Sequence, residues 1–458
     1  MTERFEIMHK TLAKMLEEKK FMTLRDVLIT MNPADIAAVF ADLQESKIPL
    51  MFRLLPKRLA AETFVEMEPD AQELLIRGFS DNELKEVLDE LYVDDAAALV
   101  EEMPANVVRR ILGQADLEMR RSINQILQYP DNSAGSLMTT EYVSLKPDMT
   151  VGESILRIRR QGVDKETIYT CYVTKDRMLV GLVTVKDLLL AEDDDIPVGD
   201  IMLTNPIFVT THTDQEEVAR MFNKYNFLAL PVVDTENRMV GIITFDDAMD
   251  VMEEETTEDI ELMGGILPSE KTYLKNSVWE LFKNRIPWLM LLMLSATFTG
   301  LIITSFEEAL AAQVALTAFI PMLMGTGGNS GSQSSVTIIR ALSLDELRFS
   351  DLPRVLWKEI RTSVLCGVVL AVFCFAKIWL VDRLLLGNMQ ITLMVDTVVC
   401  LALLVTVIAA KIVGAVLPMA AKVLRLDPAV MASPFITTIV DALSLLVYFL
   451  FAKMLLHV

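Results

Sequence analysis

The sequence predicts a multidomain chain: an all-α superhelical N domain, an α/β unit in tandem copies, and an α-helical membrane domain of five spans. Three observations predict it. The formal charge of -21 is unevenly spread: residues 1–270 hold 27 Lys+Arg and 52 Asp+Glu (net -25), and residues 271–458 hold 15 and 11 (net +4). Two different internal repeats occupy the acidic part, and long uncharged runs fill the rest.

From residue 5 to about 130 short amphipathic segments recur behind turn or cap residues. Pro33 to Phe40, Pro56 to Met67, Ser80 to Leu91 and Asp94 to Met103 are the clearest. Starts at 33, 56 and 80 suggest a period near 23 residues, as in stacked short helices. Such arrays bind or sense more often than they catalyse. The start, Met1–Lys20, is a charged amphipathic pattern without an apolar h-region, so no signal peptide is expected and the acidic part should stay in the cytoplasm.

The second repeat is longer. Ser136-Leu137-Met138-Thr139-Thr140 through Gly181-Leu182-Val183-Thr184-Val185-Lys186-Asp187 mirrors Asp200-Ile201-Met202-Leu203-Thr204 through Gly241-Ile242-Ile243-Thr244-Phe245-Asp246-Asp247. Each copy reads strand, helix, strand, strand, helix. This resembles a tandem pair of cystathionine-β-synthase (CBS) domains, which commonly sense adenine nucleotides or ions. The Thr184/Asp187 and Thr244/Asp247 positions match those that often meet a ribose in such pairs, although the same residues also cap the following helix.

After the second copy Asp247, Asp250 and Glu254 share one helical face, with Glu255, Glu258 and Asp259 adjacent. Two carboxylates ~4 Å apart repel by about 4 kcal/mol at an effective dielectric near 20. Alone, such a face is most simply a solvated surface. Its place just before Met263–Lys283, read as a helical connector, favours a divalent cation acting through its waters. Asp94, Asp95, Glu101 and Glu102 offer an opposing acidic face.

Uncharged runs place the spans. Ile286–Phe306 is the first, and Ala309–Ile339 is too long for one straight crossing. The third runs from about Thr362 to Val381, interrupted by Lys377. The fourth follows Asp396, carries Lys411 and ends near Leu417, and the fifth surrounds Asp441. Basic residues cluster between Arg340 and Arg361 and at Lys422 and Arg425, which predicts an inside amino terminus and an outside carboxyl terminus.

Asp441 has no charged neighbour from Pro428 to Val440 or from Ala442 to Ala452. An ionisable group at mid-bilayer costs on the order of 2.5–3.5 kcal/mol, so it usually faces a bundle interior or a wet pathway. The second run holds Pro321 and then Gly325-Thr326-Gly327-Gly328-Asn329-Ser330-Gly331-Ser332-Gln333. Two readings compete: unwound backbone lining a cation path, and small-residue helix packing. Packing explains Asn329 and Gln333 poorly, so the unwound, path-lining reading is preferred.

No Walker loop, HExxH, nucleophile elbow or EF-hand spacing occurs, and no acid/base constellation suggests an enzyme. His9, His212 and His457 are isolated, and Cys171, Cys366, Cys374 and Cys400 form no CxxC pair. Strong acidity argues against nucleic acid as a partner and for a cation.

The order helical array, CBS pair, connector and five spans resembles the MgtE family of magnesium channels over the whole chain. Its signature is Gly-Gly-Asn-Ser-Gly-Ser-Gln together with Asp441. The resemblance implies a homodimer in the cytoplasmic membrane with a pore between subunits and Mg2+ as both substrate and regulator. Asp441 would be the selectivity carboxylate, with Gly325, Gly328, Asn329, Ser332 and Thr437 along the pathway. Regulatory sites would use Asp94, Asp95, Asp214, Asp247, Asp250, Glu255, Glu258, Asp259 and Asp427, and ATP at the CBS pair, near Thr184 and Asp187, stays open. Ser332 stands where many members have Asn, and Asn226 where an acid is often found. The implied boundaries are 1–132 for the N domain, 133–197 and 198–258 for the CBS copies, 259–284 for a plug-like connector helix and 285–458 for the membrane domain. A carrier of another divalent cation (manganese, cobalt) and a membrane-tethered nucleotide sensor without transport are the alternatives.

Overall fold

The computed structural model describes residues 3–269, 273–385, 391–431 and 433–456, so His457 lies outside it. The chain forms two compact units, residues 1–252 and 253–458.

The first unit opens with a helical array. Helices begin at Pro33, Lys57, Asp81 and Ala105, a spacing of 24 residues each time. Between them a second set begins at Ile48, Pro69, Val93 and Leu117. Each repeat is therefore a helix pair, and helices of the first set stack on one another. Their starts are dictated locally. Asn32 accepts from the Ala34 N–H, Pro33 and Pro69 occupy first-turn positions where no N–H is needed, and Ser80 with Glu83 forms a reciprocal capping box. Leu24, Ile36, Phe40, Met51, Phe64 and Leu75 fill a continuous core along the stack.

Two α/β copies follow. In the first, Ser144–Leu145 runs parallel to Thr170–Lys175, which pairs antiparallel with Met178–Thr184. In the second, Val209–Thr210 is parallel to Ala229–Val233, which pairs antiparallel with Met239–Thr244. The outer edge of each sheet is supplied from ahead of the other copy: Leu203–Thr204 pairs with Leu182 and Gly181, and Thr139 bridges Ile242. Gly181 and Gly241 permit this approach, because a Cβ on either would meet Met202 or Met138 sulfur at 2.6 and 2.7 Å.

One helix, Phe245–Met263, leaves the second copy and carries the acidic run. The expected helical connector over 259–284 is corrected here. Helix stops at Met263, Gly264 and Gly265 follow with Gly265 at φ +69°, and a new helix starts only at Val278 behind the Ser277/Glu280 capping box. A left-handed glycine and Pro268 break the helix between, and residues 270–272 lie outside the description.

Among the described residues of the second unit, four helical stretches are long and apolar enough to cross a membrane: Val278–Ser305, Phe349–Leu385, Leu393–Val423 and Pro428–Leu456. The second comprises Leu352–Lys377 and its π-helical extension Ile378–Leu385, and the last the Ser433–Leu456 helix. The Gly-rich segment is a fifth long helix, Ile320–Ser343, whose polar middle keeps it less apolar than the rest. Here the preferred unwound reading fails. The helix runs unbroken through all the glycines, and the interruption of the long second run falls earlier, at Gln313–Phe319. Its freed groups are met by packing: the buried Tyr448 hydroxyl donates to the Leu316 carbonyl at 3.0 Å.

The glycines serve contact. A Cβ on Gly327 would lie 2.7 Å from Ser444 Oγ and 2.8 Å from Thr406 Cγ2, and one on Gly331 2.9 Å from Ile436 Cγ2 and 3.1 Å from the Ala410 carbonyl. Gly414 faces the Gly331 backbone directly. The Leu393–Val423 and Ser433–Leu456 helices thus reach the glycine helix at backbone distance. Helix continuity satisfies every peptide group that unwinding would expose to lipid.

Candidate functional site

Asp441 sits about a third of the way along the Ser433–Leu456 helix and is half-buried. Its carboxylate makes no hydrogen bond or ion pair with any described residue. One turn before it, Thr437 spends its hydroxyl on the Pro434 carbonyl (2.8 Å) and turns its methyl group to Gly328, where a Cβ would lie at 3.0 Å. Gly325 is exposed and would meet nothing within 4 Å. Ser332 is half-buried and Asn329 exposed. Packing the Thr437–Ser444 edge against Gly327, Gly328 and Gly331 leaves Asp441 beside that seam with both oxygens uncommitted. Asn329 instead lines a lateral cleft together with Gln333 and Lys411.

A second group of acids lies in the first unit. One carboxylate oxygen each from Asp94, Glu141 and Glu166 lie within 4.8 Å of one another. Asp94 opens the Val93–Glu102 helix, whose Tyr92 cap position offers no side-chain oxygen to the first turn. The Val93 N–H donates to Glu141 (3.1 Å), and Glu166 N–H to the Glu141 carbonyl (3.0 Å), which fixes the three acids in place. Glu166 Oε2 is buried with no hydrogen-bond partner among the described residues. Burial, and then Asp247 and Asp95, hold Asp94 well above the usual carboxylate range. Burial first, and then neighbouring acids, push Asp95 to about 7 and Glu166 to about 8. Burial raises Asp247 to about 6 despite the Thr244 hydroxyl donating to it. Acids held this far up are a site short of positive charge. Oxygen-only donors suit a hard cation such as Mg2+.

A third group lies at the start of the second unit. Glu258 is raised by burial and then by Glu255 and Asp427; Asp259 is raised by burial and then by Asp427, although Ser343 donates to it at 3.2 Å. Asp427 accepts from the Ala429 N–H at 2.7 Å. Leu262 and Met263 pack there on Ile339 and Ala429, at the end of the glycine helix.

The remaining predicted residues have local duties. Asp214 caps Gln215–Tyr225 through the Glu216 N–H (2.9 Å) and is exposed. Asn226 ends the same helix in the left-handed region at φ +54°, a conformation that amide side chains tolerate. Thr184 and Asp187 form a reciprocal capping box. Asp250 is exposed on the acidic helix. Sequence reasoning missed Glu141 and Glu166.

Comparison with known proteins places these features in context. Residues 320–451 match the MgtE family described as a divalent cation transporter, residues 31–132 the MgtE intracellular N domain, and residues 134–194 and 198–254 the CBS domain. The chain is 37% identical over 453 residues to "Magnesium transporter MgtE" of Thermus thermophilus, covering 98% of each. It is 32% identical to the Bacillus subtilis protein of the same name, covering 97% of this chain and 96% of that one. Among solved structures, the cytosolic domain of the Mg2+ channel MgtE in complex with ATP aligns at a TM-score of 0.51 and 37% identity, over 53% of this chain and 99% of that one.

Proposed function

Because the chain belongs to the MgtE family of magnesium transporters, we propose that it conducts Mg2+ beside Asp441 and that cytosolic Mg2+ closes the path. The observation that carries this reading is the Asp441 carboxylate, deep in an apolar helix and free of any described amine or donor. A structural carboxylate at that depth would be paired. Mg2+ keeps its waters, so one carboxylate flanked by Gly325, Gly328, Ser332 and Thr437 is a fitting station for a hydrated ion. The glycine helix and the Asp441 helix would face a second copy, forming a homodimer in the cytoplasmic membrane with the amino terminus inside and the carboxyl terminus outside.

Gating follows from the raised acids. Mg2+ among Asp94, Asp95, Glu141, Glu166 and Asp247, with Asp250 exposed further along the Asp247 helix and Asp214 exposed at the cap of Gln215–Tyr225, would stabilise the packed first unit. Mg2+ among Glu255, Glu258, Asp259 and Asp427 would fix the Phe245–Met263 helix against the inner end of the glycine helix, which favours the closed state by differential ion affinity. ATP at the CBS pair is a further ligand of this reading, although Thr184 and Asp187 already bond each other. Uptake by liposomes tests the path: Asp441→Ala should abolish Mg2+ entry, and retention of wild-type entry overturns it. Competition by Mn2+ or Co2+ in the same assay decides the ion, since oxygen ligands alone do not separate them. Unchanged Mg2+ inhibition after replacing Asp247, Asp250, Glu255 and Glu258 by Ala would reject the gate.

A further inference from the structure

The Leu393–Val423 helix packs against both the glycine helix and the Leu352–Lys377 helix. All three helices line a cleft of about 570 Å³. One wall is polar, with Thr326, Asn329, Ser330 and Gln333, and the other is the apolar edge of residues 365–370. Lys411 forms part of the lining and is only 6% exposed. Among the described residues no carboxylate lines the cleft.

Lys411 makes no ion pair with a described residue. Its amine donates to Ser334 Oγ at 3.4 Å, and that hydroxyl donates to Glu359 at 2.6 Å. The Glu359 carboxylate is therefore one hydroxyl away from this amine, and two ammonium hydrogens remain. A buried cation so placed needs a counter-charge. The lining side chains add two amide NH2 groups and two hydroxyls, all able to donate. We propose that this cleft binds a small, weakly hydrated inorganic anion, chloride foremost, held by Lys411 with Asn329 and Gln333 as amide donors. The apolar wall favours an ion that sheds water readily. Lipid phosphate is a less suitable source: Lys411 lies eleven residues from Lys422, about 16 Å along the helix and far from the headgroup level. The site is separate from the cation path and stands whether or not Asp441 conducts. Its anion would offset a positive charge in the bundle that a dication crosses.

The test uses the full-length chain in nanodiscs of phosphatidylcholine, with gluconate replaced by chloride or bromide at constant ionic strength. Thermal unfolding should shift upward by roughly 2–4 °C and saturate. The shift should vanish in Lys411→Met and shrink in Gln333→Leu, the latter deciding the matter if the former does not fold. No anion dependence in the wild type, or an equal shift in the folded variants, overturns the proposal. If phosphatidylglycerol stabilises the wild type but not the variants and abolishes the halide shift, the occupant is lipid phosphate and the halide assignment falls.

Discussion

At the scale of single residues, the chain separates charge that is satisfied from charge that is not. Lys377 is paired with Asp382 at 2.7 Å, whereas Asp441 has no described partner. Asp441→Asn keeps the shape and removes the charge, so it should lower Mg2+ influx by on the order of tenfold or more, the effect of about 1.4 kcal/mol lost at the ion. A liposome flux assay reads this directly, and an unaltered rate would discard the role. The glycines are equally specific. Gly414→Ala drives a methyl group into the Gly331 backbone, which neither helix can move aside cheaply. A loss of ~1–3 kcal/mol is expected, seen as a lower Tm of the purified chain. Gly300→Ala, with nothing within 4 Å, should leave the Tm within about a degree.

At the scale of elements, the Phe245–Met263 helix starts at the end of an α/β copy, and its last residues, Leu262 and Met263, pack on Ile339 and Ala429. Glu258→Gln with Asp259→Asn removes two of the acids grouped with Asp427 while keeping their shapes. Flux should then resist inhibition by inner Mg2+, with the half-inhibiting concentration raised roughly tenfold; an unchanged value would argue against a site there. Much of the element order was legible in advance. The array announced itself through Pro33, Pro56 and Ser80, yet the period is 24 because cap residues and helix starts differ by one position. The second-set helix at Ile48 is only five residues long, too few turns for a clear apolar stripe. The glycine segment misled for a physical reason: local propensity argues against helix, and close packing on two neighbours overrides it. Glu141 and Glu166 were hidden because loops bring them to Asp94 only in three dimensions.

At the scale of the whole molecule, the raised acids link cation binding to protons and stability. Burial pushes Asp95, Glu166 and Asp247 up to about 7, 8 and 6 in the folded chain, against about 4 when unfolded. The folded state therefore holds more protons, so without divalent ions stability should rise as pH falls from about 8 toward about 4. Saturating Mg2+ should raise the Tm of the full chain more at pH 8 than at pH 6 and release protons. Equal Mg2+ shifts at both values would break the link. The reciprocal loan of outer strands between the α/β copies has another consequence. A cut between Pro197 and Val198 strands Leu203–Thr204 from the sheet they complete and Thr139 from Ile242. Neither fragment inherits a whole sheet, so evolution can gain or lose these copies only as a couple, and they should melt in one transition.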